Sequence, residues 1–104
     1  MQIEILDWIQ NWFKDNCDGE WEHGEGIQIT TLHNPGWDVE IDISNTSLAT
    51  FEIPWILNEI GKQDWYGVKI ENQKFNASGD YGKLKFLLEL FKETVEKIEK
   101  IKNY

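Results

Sequence analysis

One cysteine, no arginine and no apolar run long enough to span a membrane characterise this chain of 104 residues. The single thiol, Cys17, can form neither an internal disulfide nor a multi-cysteine zinc site within one chain, which fits a reducing compartment. A membrane helix needs about 20 mostly apolar residues, and no stretch of that kind is present. The opening Met1-Gln2-Ile3-Glu4-Ile5-Leu6-Asp7 places acidic residues where a secretory signal requires a basic flank, so the cytoplasm is the expected location. Cations are also scarce: ten Lys stand against nineteen Asp and Glu, for a net charge of -9. Nucleic acid and anionic membrane are repelled by such a surface, whereas a basic partner complements it.

The residues that are abundant describe a folded domain. Hydrophobic residues make up 40% of the chain and six are Trp, enough for one core in a chain too short for two, so residues 1–104 are expected to form a single domain. Charge is unevenly distributed along it. Through Gly61 there are twelve Asp or Glu and one cation, Lys14, whereas from Lys62 onward nine Lys face seven acids. The first part is therefore -11 and the second +2, which predicts either one acidic binding surface or a solvated acidic face with no partner.

Helical spacing of Ile5, Trp8, Ile9 and Trp12, widened by Leu6 and Phe13, predicts an amphipathic helix over Gln2–Asn16, closed by Gly19 in a left-handed conformation. Alternation takes over between Gly26 and Ser44, where Ile27 and Ile29 and then Trp37, Val39, Ile41 and Ile43 mark two strands. Their link, His33-Asn34-Pro35-Gly36, sets Pro and Gly as a type II turn takes them, so the two should form an antiparallel hairpin. Leu48–Ile60 is apolar but interrupted by Pro54, and reads as a strand at a sheet edge. Trp65–Ile70 reads as a strand, Asn72-Gln73 as a turn and Lys74–Ala77 as a short last strand. Ser78-Gly79-Asp80 supplies caps for a C-terminal helix in which Leu84, Leu87, Leu88, Phe91, Val95 and Ile98 share a face. Glu93 with Lys97 and Glu96 with Lys100 should pair on its outer side. The whole predicts an α+β fold: an antiparallel meander sheet of four or five strands, N- and C-terminal helices packed on one face, and the other face at least partly open.

Reactive side chains concentrate in Cys17-Asp18-Gly19-Glu20-Trp21-Glu22-His23-Gly24-Glu25-Gly26. Cys17, Asp18, His23 and His33 are possible zinc ligands, yet none falls in a recognised paired spacing, and capping of the local backbone by these polar groups is the simpler reading. Cys17 and His23 could form a thiolate pair only if the fold brings them together with a third, orienting group. Gly24-Glu25-Gly26 has neither the third glycine nor the preceding strand of a dinucleotide fingerprint, and no catalytic residue, metal or cofactor is assigned. The second strand is more informative, because alternation puts Asp38, Glu40 and Asp42 on one side, neighbours about 7 Å apart. Three like charges in a row favour either solvent or a cationic partner. Trp8, Trp12, Trp37 and Trp65 read as core beneath the helices, and Trp21, between Glu20 and Glu22, is the tryptophan most readily placed at a surface, although a core role outweighs it.

Cys17-Asp18-Gly19-Glu20-Trp21-Glu22-His23 followed by Gly26-Ile27, and then Thr31-Leu32-His33-Asn34-Pro35-Gly36-Trp37, resembles the immunity protein 53 family in order and spacing. The similarity runs from the Trp8–Phe13 helix through Thr46-Ser47-Leu48 and Asp64-Trp65 to the helix around Phe91. Two positions depart from the family pattern, which has an aspartate at the place of His33 and an aromatic near Glu25; they leave the turn and strand intact and bear on which toxin is recognised. The resemblance implies a protein encoded beside a toxin of a bacterial polymorphic toxin system, which binds that toxin and blocks it. Many such toxins are nucleases with basic surfaces, so an acidic face bearing some of Glu20, Trp21, Glu22, Glu25, Asp38, Glu40 and Asp42 is the expected toxin-binding region. Two other classes stay open: a small metal- or thiol-dependent enzyme built on Cys17, His23 and His33, and an adaptor for an endogenous basic protein.

Overall fold

In the computed structural model, which describes residues 4–102, the N-terminal stripe forms helix α1 (Ile5–Asn16). The predicted start of that helix at Gln2 lies outside the described residues. Five strands follow, β1 (Ile27–Leu32), β2 (Gly36–Asp42), β3 (Ile53–Gly61), β4 (Asp64–Glu71) and β5 (Lys74–Asp80), and the chain closes with helix α2 (Leu84–Lys102). All strand pairs are antiparallel, in the order β1-β2-β5-β4-β3. The α+β class and the strand number are those predicted, but the order is not a simple meander, because β5 inserts between β2 and β4. Link length is the reason. Lys62-Gln63 and Asn72-Gln73 are two-residue links that force β3, β4 and β5 to pair in succession, whereas residues 43–52 carry the chain from β2 to the far edge.

Local chemistry agrees with expectation at one turn and differs at two. Asn72 and Gln73 both have positive φ, 54° and 61°, the signature of the primed turn that matches strand twist. Between β1 and β2, by contrast, Gly36 is not left-handed; it pairs with Leu32 across a three-residue loop, so the predicted type II turn is corrected. Glycine is required there by proximity instead, since an added Cβ would lie 2.4 Å from the carbonyl oxygen of Gly79. Gly19 does have positive φ, 96°, but α1 has already ended with Cys17 in an extended conformation, its N–H donating to the Lys14 carbonyl at 3.2 Å.

The last strand is longer than predicted, so Ser78, Gly79 and Asp80 are sheet residues and do not precede the helix as a free cap. Asp80 nonetheless organises the turn into α2. Only 4% exposed, its carboxylate accepts the N–H groups of Trp65 (3.0 Å) and Gly82 (2.9 Å) and the Lys83 ammonium (2.6 Å). Burial works to raise its pKa, but the Lys83 ammonium and the two backbone donors outweigh it and hold the carboxyl at about 2.

The core lies between the sheet and the helices. Cross-strand register puts Val39, Ile41, Phe75, Ala77 and Ile70 on one face, all of them buried. Phe91 of α2 joins the layers: Trp8 and Trp12 of α1 and Phe75 of β5 meet its ring edge-on, with centroids 6.1, 4.9 and 5.0 Å away. Each such pair contributes about 0.5–1.5 kcal/mol beyond the burial of apolar area. Tyr66, not Trp65, faces the helices, meeting Phe86 at 4.6 Å, so strand alternation turns Trp65 to the opposite face and corrects its assignment to the core beneath the helices. On α2 the ion pairs that form are Lys85–Glu89 (3.8 Å) and Lys92–Glu96 (3.1 Å), in place of those expected from Glu93 and Glu96. Pro54 sits where the β3–β4 register breaks between Ile53 and Ile56, on an edge strand, the position at which a missing N–H is harmless.

Candidate functional site

The loop between α1 and β1 is held by its own carboxylates. Asp18 accepts the N–H groups of Glu20 and Trp21, both at 2.9 Å, while Glu22 accepts those of Asp18 (2.9 Å) and Gly19 (2.8 Å). Each acid thus satisfies the donors that the other's segment leaves free around the 3-10 turn Trp21–His23. The bonds from Trp21 and Glu20 hold the Asp18 carboxyl below the usual carboxylate range. Backbone donors, its own and those of Asp18 and Gly19, do the same for Glu22 against partial desolvation. Trp21 is core: 5% exposed, it packs edge-on to Trp12 (5.6 Å) and against Phe13 (5.5 Å), with its indole Nε1 buried and unpartnered among the described residues. Asp18, Gly19, Trp21 and Glu22 therefore build the loop, and Glu20 and Glu25 are the acids it presents outward.

Cys17 is exposed, and its thiol donates to the Phe13 carbonyl at 3.2 Å. Partial desolvation, with the Glu22 and Asp18 carboxylates nearby, pushes its pKa up, away from the thiolate that a nucleophile requires. His23 precedes β1 and His33 follows it, so the six residues of that strand, about 20 Å, separate the two imidazoles. No group of three or more His, Cys, Asp or Glu side chains among the described residues is placed to hold a metal ion.

Asp38, Glu40 and Asp42 do share the face of β2 that turns away from the helices, opposite Ser78, Asn76 and Lys74 of β5. Each has a partner in the chain. The Asp38 carboxylate accepts Ser78 Oγ (2.6 Å) and Asn76 Nδ2 (3.0 Å), and Asp42 accepts the Ser44 N–H at 2.9 Å. Glu40 lies 3.4 Å from the Lys74 ammonium, which also pairs with Glu25 from the preceding loop. Those two contacts, Glu25 foremost, raise the Lys74 pKa above its ordinary value. A concavity of about 370 Å³ opens on this face, lined chiefly by Asp38, Glu40, Glu71, Lys69, Lys74 and Asn76. Three carboxylates thus face two ammonium groups, and the surface is less acidic than the sequence of β2 suggests.

Two further motif residues are also structural. Gly36 permits the contact with Gly79, and Trp37 Nε1 donates to the Tyr81 carbonyl at 3.0 Å, tying the Asn34-Pro35 end of the hairpin to the β5–α2 turn. Sequence reasoning reads Leu48–Ile60 as an edge strand but assigns none of its side chains to a site; in β3 Trp55, Ile56, Leu57 and Ile60 are 47%, 47%, 51% and 84% exposed. Pro54 signals the edge, and the near-continuous apolar run beside it is the available signal for a surface, but only the fold shows that these side chains stay exposed. No helix among the described residues is long and apolar enough to cross a membrane.

Compared with known proteins, the chain matches the family model described as immunity protein 53 over residues 6–96. That span contains both sequence motifs, all five strands and most of α2. No match to a curated protein or to a solved structure was found.

Proposed function

The chain belongs to the immunity protein 53 family, and from that premise we propose that it acts by binding: a non-enzymatic inhibitor that neutralises the cognate toxin of a bacterial polymorphic toxin system in the cytoplasm. The observation that carries this reading is the family match over residues 6–96, which assigns an immunity function to nearly the whole described fold. Two features favour a binding role over catalysis. The reactive loop spends Asp18 and Glu22 on its own backbone and keeps the Cys17 thiol protonated. Asp38 and Glu40 line a concave sheet face with Glu71, Glu25 reaches its Lys74, and carboxylates outnumber ammonium groups there, which suits the basic surface of a nuclease-like toxin domain. Trp21 and Glu22 then act from beneath, by holding the loop in place.

Co-expression with the toxin domain encoded beside this chain's gene tests the reading. Survival of the host with recovery of a stable complex is the expected result; no rescue and no complex would overturn it and return attention to Cys17, His23 and His33, or to an endogenous basic protein as the partner. Reversal of the acidic face by Glu25→Lys with Glu40→Lys should slow association on the order of 10-fold at low salt and flatten its salt dependence. Unchanged kinetics in that variant would exclude the acidic face as the docking region while leaving immunity in place.

A further inference from the structure

We propose that the toxin also docks edge-on, adding a strand of its own beside β3; this rests on the immunity reading and extends its surface from the acidic sheet face to the sheet edge. Strand order leaves β3 with a neighbour, β4, on one side only, so alternate N–H and C=O groups of Ile53–Gly61 point outward unpaired among the described residues. Despite Pro54 and Glu59, its other side chains are largely those of a covered strand. Trp55, Ile56, Leu57 and Ile60 are apolar on both of its faces and about half or more exposed, a composition that sheets reserve for strands covered on either side. The opposite edge, β1, instead carries Gln28, Thr30 and Thr31. No lysine blunts β3, and its one proline, Pro54, lies next to its N-terminal end.

The strand also carries a seated anchor. Trp55 lies across Gly67 of β4, where a Cβ would fall 2.2 Å from the indole ring, so the glycine opens the space that holds this half-exposed ring on the sheet. A groove of about 580 Å³ runs beside it, lined among others by Glu52, Pro54, Trp55, Lys69, Ile70 and Glu71. A half-exposed aromatic next to a groove is the kind of feature on which binding energy concentrates.

Charge selects the occupant. Glu25 and Glu40 are engaged by Lys74, and Glu71 by Lys69, but Glu52 and Glu59 have no cation within pairing distance among the described residues. A partner strand with lysine or arginine beside its apolar residues satisfies both acids and can lay a cation over Trp55. A second copy of this chain would bring the same two acids and a second net charge of -9, which opposes self-pairing.

The test uses the full chain and the toxin domain encoded beside its gene, with Leu57→Lys and Ile60→Lys made separately and Glu25→Lys with Glu40→Lys as comparison. Ile60 is 84% exposed, so its substitution should leave the circular dichroism spectrum and melting temperature unchanged. Edge docking predicts affinity for the toxin at least roughly 30-fold weaker in each β3 variant, and amides of residues 53–61 that become protected from hydrogen exchange in the complex. Wild-type affinity in both variants, with no protection of β3, would overturn the proposal and leave the immunity reading standing. A wild-type dimer that the β3 variants convert to monomers, with toxin binding intact, would also overturn it by assigning the edge to self-association. Failure of the unaltered chain to bind the toxin at all would remove the immunity reading, and this inference with it.

Discussion

Asp80→Asn should cost the fold about 2 kcal/mol at neutral pH, and most of that cost should disappear in acid. The buried carboxylate serves three donors at once, Trp65 N–H, Gly82 N–H and the Lys83 ammonium, and links the start of β4 to the first turn of α2. An amide can accept on one side only, so one part-buried N–H loses its partner, at about 1 kcal/mol, and Lys83 keeps only its contact with Asp64 at 2.8 Å. Linkage gives an independent figure. Lowering the pKa from 3.8 to about 2 corresponds to about 2.5 kcal/mol before solvent screening, and the Lys83 side chain, 21% exposed beside it, reduces this to about 1–2 kcal/mol. Because the folded pKa is the lower one, the contribution is complete above the unfolded value near 3.8 and is lost as pH falls through about 2; roughly half remains at pH 3. Urea unfolding followed by tryptophan fluorescence, for both proteins at pH 7 and pH 3, measures the effect. A difference below about 0.5 kcal/mol at pH 7, or one that does not shrink at pH 3, would refute the argument.

Gly36→Ala and Gly67→Ala should behave differently despite similar overlap. The first drives a methyl group into the Gly79 backbone and should give an unstable, poorly soluble protein, whereas the second meets only the Trp55 ring, which can swing into solvent at a cost of about 1 kcal/mol or less; thermal melts compare the two. Gln73→Gly should raise stability by about 0.5–1 kcal/mol in denaturant unfolding, because a non-glycine residue now occupies φ of 61°. Glu22→Ala frees the Asp18 and Gly19 N–H groups and should lower stability by about 1 kcal/mol with little effect on toxin affinity, which unfolding and binding measurements on the same variant can separate.

The β1–β2 hairpin, the helical faces of α1 and α2, the Asn72-Gln73 turn and the edge position suggested by Pro54 were all legible in the chain, because each follows from periodicity or backbone preference over a few residues. So was the common side of Asp38, Glu40 and Asp42, since strand alternation is geometric. Other features depend on what lies across space. Pairing of β2 with β5 makes the strand order something other than a meander, sets Ser78, Asn76 and Lys74 against the acidic row, and draws Gly36 onto Gly79. Trp12 and Phe13 of α1, packed against Trp21, help to bury an aromatic whose acidic neighbours point toward a surface. Likewise an apolar run announces that β3 is a strand, but only its place at the end of the sheet leaves that run uncovered. Local sequence determines conformation through short-range sterics, whereas burial and charge pairing are sums over neighbours distant in the chain, and those neighbours are chosen only when the whole sheet assembles.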